Sequence, residues 1–138
     1  MSGMPIRPPE VRLRLQLRHE DIDILGHLNN AVYHVFFHEA RMALLDPIRA
    51  AGARFVLART EIDYLREIRH ADGHVEVTTR VGDVGRKSVT LLGELHRPDG
   101  TLAARGRTVV VAWDVERRSS RELTGRESAA FAGVAVSG

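Results

Sequence analysis

The chain has 138 residues, a formal net charge of +2 and no cysteine. This length suits one domain with a sizeable core, and the lack of cysteine excludes disulfides, thiolate metal sites and cysteine nucleophiles. We expect a cytoplasmic protein without membrane contact, because no apolar run reaches the roughly 18 residues of a spanning helix and the N-terminus lacks an apolar signal-peptide core. Dispersed basic residues and few aromatic residues argue against a nucleic-acid partner.

The first predicted elements are a strand and a helix joined by an acidic loop. Apolar and polar residues alternate over residues 11–18, which indicates a half-buried strand. After a loop over residues 19–28, Asn29 or Asn30 can cap a helix. We predict that this helix ends near Leu45, because the Asp-Pro pair that follows disfavours simple continuation.

Apolar residues cover most of the circumference of the predicted helix, so we expect it to be largely enclosed. Its polar strip is narrow and consists of His34, His38 and Arg41. The spacing of His34 and His38 suits metal ligands, but no third ligand is evident, and we predict no metal site. Glu39 falls on the apolar side of the helical wheel, which indicates either a buried ion pair or an acid in a substrate pocket.

Four more strand patterns follow the helix, over residues 55–65, 74–81, 88–96 and 101–114. Tight turns rich in glycine and aspartate separate the last three, so these strands should form an antiparallel meander. Residues 116–138 have no clear period and are predicted to be a tail, with a short turn of helix or without fixed structure. The order predicts one two-layer α+β domain over residues 1–138, with its core at about 11–115.

The most informative segment places Asp21 and Asp23 just before the predicted N-terminus of the helix. Unpaired N–H groups and the helix dipole at such an end can hold a carbonyl oxygen as it becomes an oxyanion. A carboxylate beside it can attack the carbonyl or activate a water. Asp and Asn are also the ordinary residues of caps and turns, so local sequence alone leaves a purely structural interpretation open.

This segment resembles the motif D-x-D-x-x-G-H-x-N-N-x-x-Y of the 4-hydroxybenzoyl-CoA thioesterase family, especially its long-chain acyl-CoA thioesterase branch. The matching residues are Asp21, Asp23, Gly26, His27, Asn29, Asn30 and Tyr33. Similarity continues to about residue 115. The resemblance implies a hot-dog fold, in which an antiparallel five-stranded sheet wraps around one long central helix. It also implies a homodimer or homotetramer with the site at the subunit interface.

The resemblance implies an acyl-CoA thioesterase, which converts acyl-CoA and water into a free acid and CoA without a cofactor. Asp23 matches the catalytic aspartate, and the backbone N–H groups from Leu28 to Asn30 match those that polarise the thioester carbonyl. His27 and Asn29 match positions that shape the loop or contact the thioester region of the substrate. Gly26 would let the backbone approach the substrate closely.

The resemblance also implies sites for the two halves of the substrate. Tyr33, Phe36 and Glu39 are expected in the acyl pocket. The segment Arg86-Lys87-Ser88 follows a glycine at the start of a strand and is expected to contact the phosphates of CoA, for which its charge is suitable. An exposed turn with two solvated cations is the alternative.

Two other functions compete with hydrolysis. A hot-dog enoyl-CoA hydratase would carry D-x-N-P-x-H, which the spacing from Asp23 to His27 does not match. A non-catalytic acyl-CoA-binding module would keep Arg86 and Lys87 but would not need Asp23. An α/β-hydrolase is excluded, because no serine lies in a G-x-S-x-G motif.

Overall fold

The computed structural model describes residues 8–133. The expectations for the extreme N-terminus and for the last five residues of the tail therefore fall outside the described residues. The strands are β1 (Glu10–Gln16), β2 (Phe55–Tyr64), β3 (His74–Val84), β4 (Ser88–His96), β5 (Leu102–Asp114) and β6 (Ser119–Ser120). The helices are α1 (Asn30–Ala50) and α2 (Gly125–Ala132), with 3-10 turns at His19–Asp21 and His70–Asp72.

The long strands form one antiparallel sheet in the order β1-β3-β4-β5-β2, and the short β6 pairs with β5. Alternation places Val75 and Val77 of β3 on the inner face, where both are fully buried. The backbone of α1 comes nearest to β1 and β3, and its side chains also reach β4 and β5. The predicted α+β architecture with a central helix is confirmed.

The centre of α1 rests on two glycines of the sheet. Gly93 and Gly106 are partners across β4 and β5, and the Phe37 ring lies against both. A Cβ on Gly93 would come within 2.8 Å of that ring, and one on Gly106 within 3.3 Å. The absence of side chains at these positions therefore sets how closely the helix approaches the sheet.

The C-terminal end of α1 differs from the prediction. The helix continues to Ala50 with Pro47 inside it, so the prediction that it ends near Leu45 is wrong. Proline removes a single N–H donor, and only the final turn of the helix lies beyond this residue. Leu44 and Leu45 are buried at 3% and 1% exposure, so tertiary packing holds this end of the helix.

Two residues of α1 face opposite to their predicted directions. Glu39 is exposed, together with Val35 (49% exposed), whereas Arg41 is buried (9%) against the sheet. In the structure, the buried residues recur every three or four positions from Tyr33 to Leu45 and form one stripe. Arg41 belongs to this stripe and Glu39 lies on the opposite side, so the polar strip is rotated from its predicted position.

The predicted tail contains the short helix α2. Thr124 and Glu127 form a capping box at its start, and Glu127 accepts two hydrogen bonds from the Arg121 guanidinium, at 2.7 and 2.8 Å. Phe131 is fully buried and packs edge-on against Phe55, with ring centroids 5.7 Å apart. This segment thus closes the core at the end of α1 that lies far from Asp23.

Candidate active site

Asp23 lies in a tight hairpin that leads directly into α1. Ile22 and Leu28 form an antiparallel bridge, and the Asp23 N–H donates to the His27 carbonyl at 2.9 Å. The Asp23 Oδ1 accepts from the N–H groups of Leu25 (2.9 Å) and His27 (3.2 Å). Within residues 8–133 no hydrogen bond uses Oδ2. The backbone therefore fixes one oxygen of this half-buried carboxylate and leaves the other available.

Gly26 shapes this hairpin through its backbone conformation. Its φ of +80° lies in the left-handed region, which costs other residues energy. A Cβ there would meet nothing within 4 Å, so conformation and not crowding requires glycine. The Gly26 N–H donates to the Asp23 carbonyl at 3.0 Å, which closes the turn.

Asp21 is 1% exposed and serves the fold. Its carboxylate accepts from the Arg18 N–H at 2.9 Å and from the Arg18 guanidinium at 3.0 and 3.3 Å. Burial raises the pKa of Asp21, but the hydrogen bonds and charge of Arg18 outweigh burial, and the pKa lies below its ordinary value. The Asp21 carbonyl also accepts from the Asn29 N–H at 2.9 Å. Asp21 thus anchors the loop, and Asp23 is the carboxylate available for chemistry.

The N–H groups at the start of α1 are not equivalent. Those of Leu28 and Asn29 donate to backbone carbonyls at 2.7 and 2.9 Å. The Ala31 N–H donates to the side chain of Asn29, which is the N-cap residue, at 2.9 Å. The Asn30 N–H has no acceptor among residues 8–133, as is usual for the first residue of a helix. A carbonyl oxygen placed at this end would therefore find the Asn30 N–H.

A cleft of about 230 Å³ opens beside the N-terminus of α1, and its walls include His27, Asn30, Tyr64 and Glu67. The His27 Nε2 lies 2.7 Å from a Glu67 carboxylate oxygen. The Tyr64 hydroxyl donates to the Asn30 carbonyl at 3.3 Å. Asp23 does not line the cleft. His27 lies in the same hairpin as Asp23 and also lines the cleft, so it connects Asp23 to the cleft. The hairpin, the helix end and the end of β2 therefore meet around one opening.

The three residues predicted for the acyl pocket are not placed together. Tyr33 and Phe36 are buried, at 3% and 6% exposure, whereas Glu39 is exposed. Tyr33 lines the cleft and packs edge-on against Tyr64, with ring centroids 4.9 Å apart. Burial, with smaller effects from Tyr64 and Glu67, raises the pKa of Tyr33 to about 12. In the single chain, Tyr33 is thus the predicted pocket residue that contacts the cleft.

The segment Arg86-Lys87-Ser88 lies at the opposite end of the sheet from Asp23. It joins β3 to β4, and Arg86 and Lys87 are exposed. The Arg86 guanidinium forms an ion pair with Glu122. The Asp23 hairpin is near the start of β3, because His27 forms a β-bridge with Arg69 and the Leu28 N–H donates to the Ile68 carbonyl at 2.7 Å. The 11 residues of β3 separate these ends by about 33 Å.

A larger cavity does not contain these groups. It has a volume of about 640 Å³ and lies between the end of α1 and α2, where Ile48, Ala53, Arg121 and Glu127 contribute to its lining. Of its three charged residues, Arg121 and Glu127 neutralise each other in the ion pair described above, and the third is Arg126. We place the candidate site at the smaller cleft, because that cleft adjoins the helix N-terminus and the Asp23 hairpin.

Tyr64 and Glu67 of the cleft were not among the predicted site residues. Tyr64 could have been found from the sequence, because alternation with Ile62 in β2 places it on the inner face of the sheet. Glu67 follows β2 in a loop and meets His27 across 40 positions of chain. No local pattern indicates that contact.

No group of three or more His, Asp or Glu side chains within residues 8–133 is arranged to hold a metal ion. No helix in this part of the chain is both long and apolar enough to cross a membrane.

Comparisons with known proteins agree with this architecture. The model of the thioesterase-like superfamily matches residues 17–132. A thioesterase from Thermus thermophilus, solved in complex with coenzyme A and Zn, is 31% identical, with a TM-score of 0.77 over 93% of this chain and 95% of that chain. No curated protein matches the sequence.

Two further solved structures show the same fold at lower identity. A predicted thioesterase from Bacillus stearothermophilus has a TM-score of 0.83 at 24% identity, over 94% of this chain and 99% of that chain. The DHNA-CoA thioesterase from Staphylococcus aureus has a TM-score of 0.73 at 18% identity, over 83% and 80% respectively.

Proposed function

Because the chain belongs to the thioesterase-like superfamily and is therefore a thioester hydrolase, we propose that it hydrolyses an acyl-CoA to a free acid and CoA with Asp23 as the catalytic carboxylate. The solved relative from Thermus thermophilus binds coenzyme A, which supports CoA as the carrier of the thioester.

The observation that carries this proposal is the position of the Asp23 carboxylate. Two N–H groups hold Oδ1 at 2.9 and 3.2 Å, so the side chain is oriented before substrate arrives. Oδ2 can then attack the thioester carbon or take a proton from an attacking water. Both routes use the same residues and release the CoA thiol.

The Asn30 N–H is the proposed donor to the thioester oxygen. As the carbonyl is attacked, negative charge develops on that oxygen, and a fixed donor at a helix N-terminus stabilises it. Within the expected segment from Leu28 to Asn30, the other two N–H groups already donate to backbone carbonyls. The Asn29 carbonyl, which belongs to the same peptide as the Asn30 N–H, accepts from the Val32 N–H at 2.9 Å, and this bond fixes the direction of the proposed donor.

A second copy of the chain is proposed to complete the site. β2 is an edge strand, and its inner face is poorly covered, with Leu57 54% and Tyr64 45% exposed. The hairpin also presents Ile24 and Leu25, which are 103% and 73% exposed. An unpaired edge next to apolar side chains is an unusual surface for a monomer. These features support a homodimer.

Dimerisation also bears on the role of the distant cations. If Arg86 and Lys87 contact the phosphates of a CoA bound at Asp23, the separation of about 33 Å along β3 puts them beyond reach within one chain. Antiparallel pairing of two β2 edges about a two-fold axis would place the Phe55 end of one copy beside the Tyr64 end of the other. We therefore propose that the cations of one copy serve the Asp23 of its partner.

A hydrolysis screen tests the proposed activity. The protein would be incubated with acyl-CoAs of different chain lengths, including aromatic ones, and free CoA thiol would be measured. We expect turnover of at least one substrate that is lost in Asp23→Asn. Binding of acyl-CoA without thiol release from any substrate would instead favour a binding module.

A further inference from the structure

Glu67 is a charged residue of the cleft to which the proposed function gives no part. It follows β2 in the chain, and its two carboxylate oxygens contact different side chains. One oxygen lies 2.7 Å from the His27 Nε2, and the other lies 3.4 Å from the Arg69 Nε. A carboxylate only accepts hydrogen bonds, so at 2.7 Å the His27 Nε2 must carry the proton between the two groups.

The backbone holds both ends of this contact in place. His27 and Arg69 form an antiparallel β-bridge, and the Leu28 N–H donates to the Ile68 carbonyl at 2.7 Å. Exposed ion pairs usually contribute little, because two long side chains lose freedom when they pair. The side chains of His27 and Glu67 are 44% and 45% exposed, but the bridge beneath them already brings them together. Their contact therefore needs less ordering than an ordinary surface pair.

His27 also lies next to a second carboxylate, that of Asp23. The Asp23 N–H donates to the His27 carbonyl, and the His27 N–H donates to the Asp23 Oδ1. In register with the Ile22–Leu28 bridge, the two residues are opposite partners in the hairpin, and the side chains of such partners lie on the same face. A freely rotating imidazole would compete for the Asp23 Oδ2, which is the oxygen proposed to react. The contact with Glu67 removes this competition.

We propose that Glu67 is a positioning residue, which holds the His27 imidazole in the wall of the cleft and away from the Asp23 carboxylate. The Asp23 Oδ2 then stays available to the thioester, and the cleft keeps one shape beside the Asn30 N–H. Glu67 acts through His27 and does not itself contact the reacting atoms. This role rests on the proposed function, because it is defined in relation to Asp23.

The contact can be measured without substrate. In protein labelled with ¹⁵N-histidine, the Nε2 proton of His27 should give an NMR signal, because the carboxylate protects this proton from exchange with water. We expect the signal to be lost in Glu67→Ala and to remain in Arg69→Gln, which removes only the other partner of Glu67. A wild-type protein without the signal, or a signal that survives in Glu67→Ala, would overturn the proposal.

Kinetics on an acyl-CoA that the protein hydrolyses test the link to catalysis. Glu67→Ala should lower kcat by about 10 to 100-fold and leave KM nearly unchanged, because positioning acts on the transition state. Glu67→Gln keeps an oxygen that accepts from the His27 Nε2 and should recover most of the loss. Glu20→Ala is the matched control, since Glu20 pairs with Arg18 at 3.0 Å, and it should change neither constant. An unchanged kcat in Glu67→Ala, or no recovery in Glu67→Gln, would contradict the proposal.

A double-mutant cycle tests whether Glu67 acts through His27. His27→Asn removes the imidazole and keeps the backbone bonds of the hairpin. In this background, Glu67→Ala should change kcat by less than about twofold, because residues that act as a unit are not additive. Losses that multiply would show that Glu67 acts independently of His27, contrary to the proposal. If no acyl-CoA is hydrolysed at all, the proposed function fails, and the NMR signal still decides whether Glu67 holds His27.

Discussion

The two ends of the sheet carry different parts of the proposed chemistry and are built differently. At the end where β3 begins, backbone hydrogen bonds hold the Asp23 carboxylate and tie its hairpin to α1. At the other end, Arg86 and Lys87 are exposed on a turn, where Arg86 pairs with Glu122. Chemistry at a carbonyl needs groups fixed in place. Attraction of phosphates needs charge, and charge acts at longer range and tolerates mobile side chains.

The largest expected effect is that of removing the Asp23 carboxylate. In Asp23→Asn the amide oxygen can still accept from Leu25 and His27, so the hairpin should keep its shape. We expect kcat to fall by about 10² to 10⁴-fold, which is typical for loss of a general base or nucleophile, with little change in Tm. Thiol release and differential scanning calorimetry measure the two quantities. A kcat within a few-fold of wild type would show that Asp23 is not the catalytic group.

Loss of both cations at the other end should change a different kinetic constant. In Arg86→Ala/Lys87→Ala we expect KM for acyl-CoA to rise about tenfold with little change in kcat, because exposed charges on phosphates contribute uniform binding of modest size. A short thioester without the nucleotide supplies the control and should be unaffected. The rise in KM should shrink as salt increases. Equal losses on both substrates would mean that the turn supports the fold.

The hairpin backbone offers a more subtle test of fixed geometry. Gly26→Ala forces a side chain into a φ of +80°, at a cost of about 1 to 2 kcal/mol. Gly100→Ala does the same at a φ of +89° in the turn between β4 and β5. We expect similar losses of unfolding free energy from the two variants, but a fall of several-fold in kcat for Gly26→Ala alone. Unchanged kcat in both would show that the shape of the hairpin does not matter for the reaction.

The smallest predicted effect on kcat separates Asp21 from Asp23. The pKa of Asp21 is lowered in the folded protein, so its carboxylate stabilises the fold above the unfolded pKa of about 3.9 and loses this contribution as pH falls through the lower folded value. Asp21→Asn should therefore cost about 1 to 3 kcal/mol at pH 7, and less as pH falls below about 4. Its kcat should remain near that of wild type. Urea unfolding at pH 7 and pH 3 measures the difference.

The sequence predicted the strands of the sheet well, because alternation of apolar and polar residues directly indicates a strand with one buried and one exposed face. The bounds of β4 match the prediction, and the apolar residues Val75 and Val77 of β3 lie on its inner face. The acidic loop before a capped helix was also predicted, since Asn29 is a typical N-cap residue. These features depend on neighbours within a few residues.

The features that the sequence did not predict depend on contacts between residues that are distant along the chain. The composition of α1 predicts an enclosed helix, but tertiary packing sets which side of it faces the sheet, and this packing buries Arg41 and exposes Glu39. The contact between His27 and Glu67 joins two loops that only the folded chain brings together. The separation of Asp23 from Arg86 likewise follows from strand order, which local patterns do not encode.

Mixing two defective variants tests most directly the central claim, that the Asp23 of one copy works with the cations of another. Asp23→Asn and Arg86→Ala/Lys87→Ala would be unfolded, refolded together in equal amounts and assayed on acyl-CoA at low substrate concentration. Each mixed dimer would contain one site with an intact Asp23 and intact cations. Half of the dimers are mixed, and one of the two sites in each mixed dimer is intact. We therefore expect about a quarter of the wild-type kcat/KM, and these intact sites should have the wild-type KM. Activity equal to the average of the two parents at every mixing ratio would contradict the claim.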